Sequence, residues 1–233
     1  MALPKIDLPI SEITLPSTGD KIKTRSFTVK EEKILLIAGE SNDAIVEMMA
    51  IKQIINNCLV EGTVDDLAMI DLEYVFLKLR SSSVDNLTKF TVKDPETGES
   101  VELELDIDKV ECVKDETHSK EVRINEEYVL YLKHPTIDEF AKVLTLDPKD
   151  PLTNYFIMCA CLDKLASDDE VHNFSDYTPE EIDDFMDGID GGSIKQIQKF
   201  FETLPKLRHE IKYKNSNGNE QTFVIEGIRS FFI

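Results

Sequence analysis

Ser41-Asn-Asp-Ala-Ile-Val-Glu-Met-Met-Ala-Ile-Lys-Gln-Ile-Ile-Asn-Asn-Cys-Leu59 is the stretch on which the reading of the fold turns. Its apolar residues, Ile45, Met48, Met49, Ile51, Ile54, Ile55, Cys58 and Leu59, recur at the three, four and seven spacings of one helical face. Ser41, Asn42 and Asp43 in front of them are residue types that cap a helix start. A helix there sets the frame for its neighbours. On the amino-terminal side, residues 10–15 alternate apolar and polar, meet Pro16-Ser-Thr-Gly19, and alternate again over 21–27, the pattern of a β-hairpin. Thr28 with Glu31 three residues on forms a capping box for a short helix, with Gly39 as its expected stop. On the other side, Leu72, Val75, Phe76 and Leu79 share a face, which predicts a second packed helix over 70–79.

Beyond that helix the period changes. Residues 87–92 and 101–107 alternate around Asp94-Pro-Glu-Thr-Gly98, a second hairpin closed by turn-forming residues. Residues 110–122 read as loop or short strands, and 127–133 as a strand halted before Pro135. Helical patterning returns over 137–143, 152–165, 179 onward behind a Thr178 to Glu181 capping box with Pro179 at the first helical position, and 194–204 behind Gly191-Gly192-Ser193. The acidic stretch 167–177 reads as a mobile loop. A third hairpin is expected from residues 208–214 and 221–225 around Asn215-Ser-Asn-Gly-Asn219. Strands and helices segregate without a β-α-β rhythm, so the predicted class is α+β: small antiparallel hairpins packed on helices, with a largely helical second half. The expected division is 1–134 and 135–233.

Composition narrows the function classes. Of 233 residues, 26 are Lys or Arg and 46 are Asp or Glu, giving a net charge of −20, while 41% are apolar. That is enough apolar material for a core, and enough negative charge to be repelled by phosphate backbones and anionic lipid. The expected partners are proteins, with no nucleic acid and no membrane. The apolar run from Phe156 to Leu162 is far short of the roughly 18 residues a bilayer span needs. The opening Met1-Ala-Leu-Pro-Lys-Ile-Asp7 has no apolar centre of a secretory signal, so a folded, soluble, cytosolic chain is expected.

Chemistry-bearing motifs are missing from the sequence: no phosphate-binding glycine loop, no dinucleotide fingerprint, no His-Glu-x-x-His and no nucleophile elbow occurs. Cys58, Cys112, Cys159 and Cys161 read as packing residues, since Cys159 and Cys161 would point apart on a helix. His118, His134, His172 and His209 are dispersed. Asp183, Asp184, Asp187 and Asp190 could attract a divalent cation, yet lack the ligand ladder of a calcium hand and read as a solvated face. No catalytic residue, cofactor or metal is expected.

Several separated blocks carry a family likeness: Leu3-Pro-Lys-Ile-Asp-Leu-Pro9, Leu15-Pro-Ser-Thr-Gly19, Phe27-Thr-Val-Lys-Glu-Glu-Lys-Ile-Leu-Leu36, Ile51-Lys-Gln-Ile-Ile-Asn-Asn-Cys58 and Leu72-Glu-Tyr-Val-Phe-Leu-Lys-Leu-Arg-Ser81. In order and content they resemble the baseplate hub subunit and hub-assembly family of T-even-like contractile-tailed phages, over roughly the first half of the chain. That resemblance implies a phage baseplate hub subunit or assembly factor that binds other tail and baseplate hub proteins during tail morphogenesis, without catalysis. It also implies a location in the host cytoplasm during assembly, with the virion tail as the further candidate. Met48 and Met49, an adaptable apolar pair, and the apolar end at Ile228, Phe231, Phe232 and Ile233 are the expected partner-binding residues, because burying each large apolar side chain gains about 1.5–3 kcal/mol. The competing readings are a metal-dependent hydrolase using residues 183–190 and an acidic mimic of nucleic acid.

Overall fold

The structure, a computed structural model, describes residues 7–41, 43–65, 67–83, 86–144 and 152–226. In chain order it runs β1 (Ile10–Thr14), β2 (Lys21–Arg25), α1 (Val29–Ser41), α2 (Ala44–Cys58), α3 (Met69–Ser83), β3 (Leu87–Lys93), β4 (Ser100–Asp106), β5 (Glu111–Val113), β6 (Glu121–Arg123), β7 (Val129–Leu132) and α4 (Ile137–Leu144). It continues with α5 (Thr153–Ala160), β8 (Leu162–Ala166), β9 (Val171–Asn173), α6 (Pro179–Asp187), α7 (Gly191–Glu202), β10 (Lys206–Lys214) and β11 (Glu220–Glu226). The class is α+β, with four small antiparallel sheets among the described residues. None of the described helices is long and apolar enough to cross a membrane.

Two compact units emerge: the chain up to Val113 together with the chain from Lys206, and Lys114–Pro205. The sequence reading placed a single boundary at 134. Backbone pairing places the breaks at 113 and 205, because β5 hydrogen-bonds to β10 with Val113 opposite Lys206, a partnership 93 positions long that periodicity alone does not reveal.

In the first unit, hairpin β1–β2 leads into the helical run α1, α2 and α3. Asp43 accepts hydrogen bonds from the Ile45 and Val46 amides at 2.8 and 3.4 Å, so the cap of α2 is the last of its three sequence candidates. α1 runs past Gly39, since the Ser41 hydroxyl donates to the Ala38 carbonyl at 2.7 Å and carries the last turn on to Ser41. α3 is buried on several sides: Ile70 and Leu77 join Phe90, Leu103, Leu105, Leu207 and Ile225 in one apolar cluster, while Leu72, Val75, Phe76 and Leu79 are also buried and Phe76 meets the Phe27 ring at 5.9 Å. The turns of hairpins β3–β4 and β10–β11 are tied together by polar contacts. The Tyr213 hydroxyl donates to Asp94 at 2.8 Å, and the side-chain amides of Asn215, Asn219 and Gln221 donate to Glu96 at 2.8–2.9 Å.

Asp71 on α3 is buried and accepts from the Ser17 amide at 2.8 Å and from the Ser17 hydroxyl, pinning the β1–β2 turn to the helix. Asp71→Ala would strip the half-buried Ser17 donors of their acceptor and is expected to cost about 1 kcal/mol in urea denaturation. Asp71→Asn, which keeps one acceptor oxygen, should recover part of that loss.

The second unit has a sheet in the order β6-β7-β8-β9 with α6 and α7 on its apolar residues: Val122, Leu130, Leu132, Cys161 and Leu162 cluster with Met186, Ile197 and Phe200. Two expectations change here. The predicted helix over 152–165 ends at Ala160, and Leu162–Ala166 is a strand, because pairing on both sides, to β7 and β9, outweighs the helical look of an apolar run. The stretch 167–177, read as a mobile loop, holds β9 and a 3₁₀ turn over Phe174–Asp176. The Thr178 and Glu181 capping box of α6 forms as expected, with the Thr178 amide donating to Glu181 at 2.8 Å and the Glu181 amide donating back at 3.3 Å. Asp190 caps α7, and a Cβ on residue 192 would come within 2.8 Å of its carboxylate oxygen, so a side chain there would push the capping carboxylate aside.

Candidate functional site

Among the acidic residues singled out from the sequence, Asp183 accepts from the Tyr155 hydroxyl and Asp190 caps α7, while Asp184 and Asp187 are exposed. Among the described residues no three His, Cys, Asp or Glu side chains gather as metal ligands would. All four cysteines are free thiols. Burial pushes Cys58 up to about 11 and Cys161 up to about 12, far from the thiolate a nucleophile requires.

One pairing was not foreseen from the sequence. His118 and His134 bond to each other, Nε2 to Nε2 at 3.1 Å, and both rings lie against Phe200, at 5.1 and 5.8 Å. His118 Nδ1 meets the Thr203 hydroxyl at 3.0 Å, whereas His134 Nδ1 is buried without a partner. A shared hydrogen bond needs one nitrogen with a proton and one without, so the pair is suited to two neutral rings. Burial first, then the positive charges of Lys120 and Lys114 and the neighbouring His118, drive His134 down to about 4. Burial lowers His118 as well, followed by Lys120, with Asp115 opposing. The arrangement is a part-buried polar joint between the β6–β7 hairpin and α7.

What the first unit offers is a surface. At the start of α1, Glu31 is fully buried, accepting from Arg25 at 3.0 and 3.3 Å and from the Thr28 amide at 2.9 Å. Burial alone would raise its pKa; the Arg25 and Thr28 hydrogen bonds outweigh burial and hold it at about 2. With Glu31 and Ala38 turned inward, the opposite stripe of α1 carries Val29, Lys33, Leu36, Ile37 and Glu40, all exposed, at spacings of one helical face. Leu36 and Ile37 are 62% and 71% exposed, and Val29 is 72% exposed. Val46 and Met49 on α2 are exposed as well. Of the methionine pair, Met48 is a core residue at 7% exposure and only Met49 reaches the surface. Ile228, Phe231, Phe232 and Ile233 lie outside the described residues. Leu36 and Ile37 are not legible as surface from the sequence, because apolar residues on a helix are taken as core and a capping-box glutamate gives no sign that it is buried.

Val29, Leu36 and Ile37 on α1 are the most exposed large apolar side chains of the three helices. No curated protein and no solved structure matches this chain. A family model described as the T4 bacteriophage base plate protein matches residues 8–233, which extends the likeness seen in the first half over nearly the whole length. On that match over nearly the whole of its length, the chain belongs to the T4 bacteriophage base plate protein family.

Proposed function

We propose that this protein is a baseplate hub subunit or hub-assembly factor that works by binding other tail proteins, without catalysis. The observation that carries the reading is the exposed stripe of α1 with Val29, Leu36 and Ile37, together with exposed Val46 and Met49 on α2, on a chain of this family. A surface of that kind is stable in water only if it is small or covered, and a baseplate assembly offers the cover. Ile228, Phe231, Phe232 and Ile233 are proposed as a second contact, on the apolar character of their sequence.

Copurification from infected host cells tests this. The wild-type chain should bring down tail proteins, and the pair Leu36→Glu with Ile37→Glu, at positions already in solvent, should leave the circular dichroism spectrum and melting transition in place while removing them. Unchanged capture by that variant would sink the role of this face. Mass spectrometry of purified particles then separates the two forms of the proposal: presence in mature virions marks a hub subunit, and absence marks an assembly factor.

A further inference from the structure

The second unit contains a feature that the hub reading leaves unused. Between β8, β9 and α6 lies an open cavity of ≈ 300 Å³ whose apolar walls are Leu165, Phe174, Ile182 and Phe185. His172, Tyr177 and Glu181 stand among those walls. The walls are fixed before anything binds. His172 Nδ1 and the Tyr177 hydroxyl are 2.7 Å apart, His172 Nε2 lies 3.2 Å from Glu170, and Tyr128 donates to the same carboxylate at 2.9 Å. Phe174 and Phe185 meet at 5.2 Å, and the capping box anchors the start of α6.

The surroundings decide what can enter. From Leu165 to Ile194 the chain carries ten Asp or Glu residues and no Lys or Arg. Glu181 lines the cavity, Glu170 bonds its wall residue His172, and Glu180 and Asp184 are exposed on the same helix as Glu181, so a second copy of this acidic chain, a nucleic acid or an anionic lipid would be repelled there. A volume of this size is at the low end for a small-molecule site and suits one or two apolar side chains. We infer that this cavity is a docking site for a basic segment of another protein, one that inserts a Leu or Phe side chain between Phe174, Ile182 and Phe185 while its flanking Lys or Arg residues meet the acidic rim. The apolar insertion supplies the hold, and the charges supply orientation and a fast encounter. This goes beyond the hub reading, since it concerns a different surface and stands whether or not the chain is a hub component.

The test uses the full chain and synthetic peptides. The probe is an acetylated, amidated peptide Gly-Lys-Lys-Leu-Phe-Lys-Lys-Gly, followed by ¹H–¹⁵N NMR and by fluorescence anisotropy. Saturable binding with shifts centred on Phe174, Tyr177, Ile182 and Phe185 is expected. Affinity should fall about 10-fold or more when Lys is exchanged for Glu, and when Leu-Phe is exchanged for Ser-Ser, and it should weaken steeply between low and high salt. In the protein, Glu180→Lys with Asp184→Lys, both exposed positions on α6, should weaken binding by a similar factor without unfolding the unit. Tyr177→Ala gives a second variant at an exposed wall residue. Four outcomes would overturn the proposal: equal affinity for the Glu peptide, undiminished binding of the Ser-Ser peptide, shifts confined to other surfaces, or no saturation up to about 1 mM peptide. Concentration-dependent self-association of the unliganded chain with shifts at these same residues would assign the cavity to a second copy and also refute it.

Discussion

Arg25→Met is expected to destabilise the first unit by about 3–5 kcal/mol at neutral pH, because it leaves the fully buried Glu31 carboxylate without its counter-charge. The Thr28 amide and hydroxyl would remain as donors, but two neutral donors do not replace a guanidinium. The double variant with Arg25→Met and Glu31→Met should be more stable than Arg25→Met alone, since it removes the stranded charge along with its partner. Urea denaturation of the two variants beside wild type measures this, and equal stability of the single and double variants would show that Glu31 is not held as a charge. The same pair has a pH signature. Glu31 has an ordinary value of 4.5 and a folded value of about 2, so the unfolded chain binds more protons between those limits. Its contribution is therefore complete above 4.5 and is lost as pH falls toward 2, by about 3 kcal/mol in all. Wild type should lose about that much more than the double variant over this range, since Asp94, Glu96 and Asp108, also held below their ordinary values, remain in both.

The second large effect lies in the other unit and in a different pH window. His134 titrates at about 4 in the folded chain against 6.5 when unperturbed, so here too the unfolded state takes up protons first as pH falls. Stability from the neutral His118–His134 pair is whole above 6.5 and declines as pH drops to 4, by about 3 kcal/mol. Amide hydrogen exchange at Val122, Leu130 and Leu132, core residues of this unit, should report accelerated opening over that range. His134→Gln, which cannot charge, should flatten the dependence while leaving the acid loss from Glu31 untouched. A flat wild-type profile from 6.5 to 4 would refute it.

Local period made much of this molecule readable. The Ile45 to Cys58 face, the Thr178 capping box and the Asp94 and Asn215 turns each announce themselves within a few residues, and each is present where expected. What failed to show required knowledge of partners. Leu162 to Ala166 continues an apolar helix until β7 and β9 are set beside it. The His118–His134 pair follows from register once the β6–β7 hairpin is recognised: Glu121 faces Tyr131, and three steps outward on each strand bring 118 opposite 134. Nothing in the spacing of two histidines 16 residues apart states that on its own. The exposed stripe of α1 was hidden for a different reason, since a sequence reports which residues are apolar and leaves open which face a buried carboxylate has claimed.

The pairing of Val113 with Lys206 also sets a timetable. A translating ribosome that has just released β5 must deliver 92 more residues, 114 to 205, before β10 emerges, a wait on the order of 5–20 s at ordinary elongation rates. The Lys114–Pro205 unit, contiguous in the message, is thus free to mature first, while the unit completed from Lys206 keeps an unfinished sheet margin until its closing hairpin appears. During that interval the nascent chain exposes the very edge that invites mispairing, so a chaperone or an early-arriving tail partner would find its longest opportunity there.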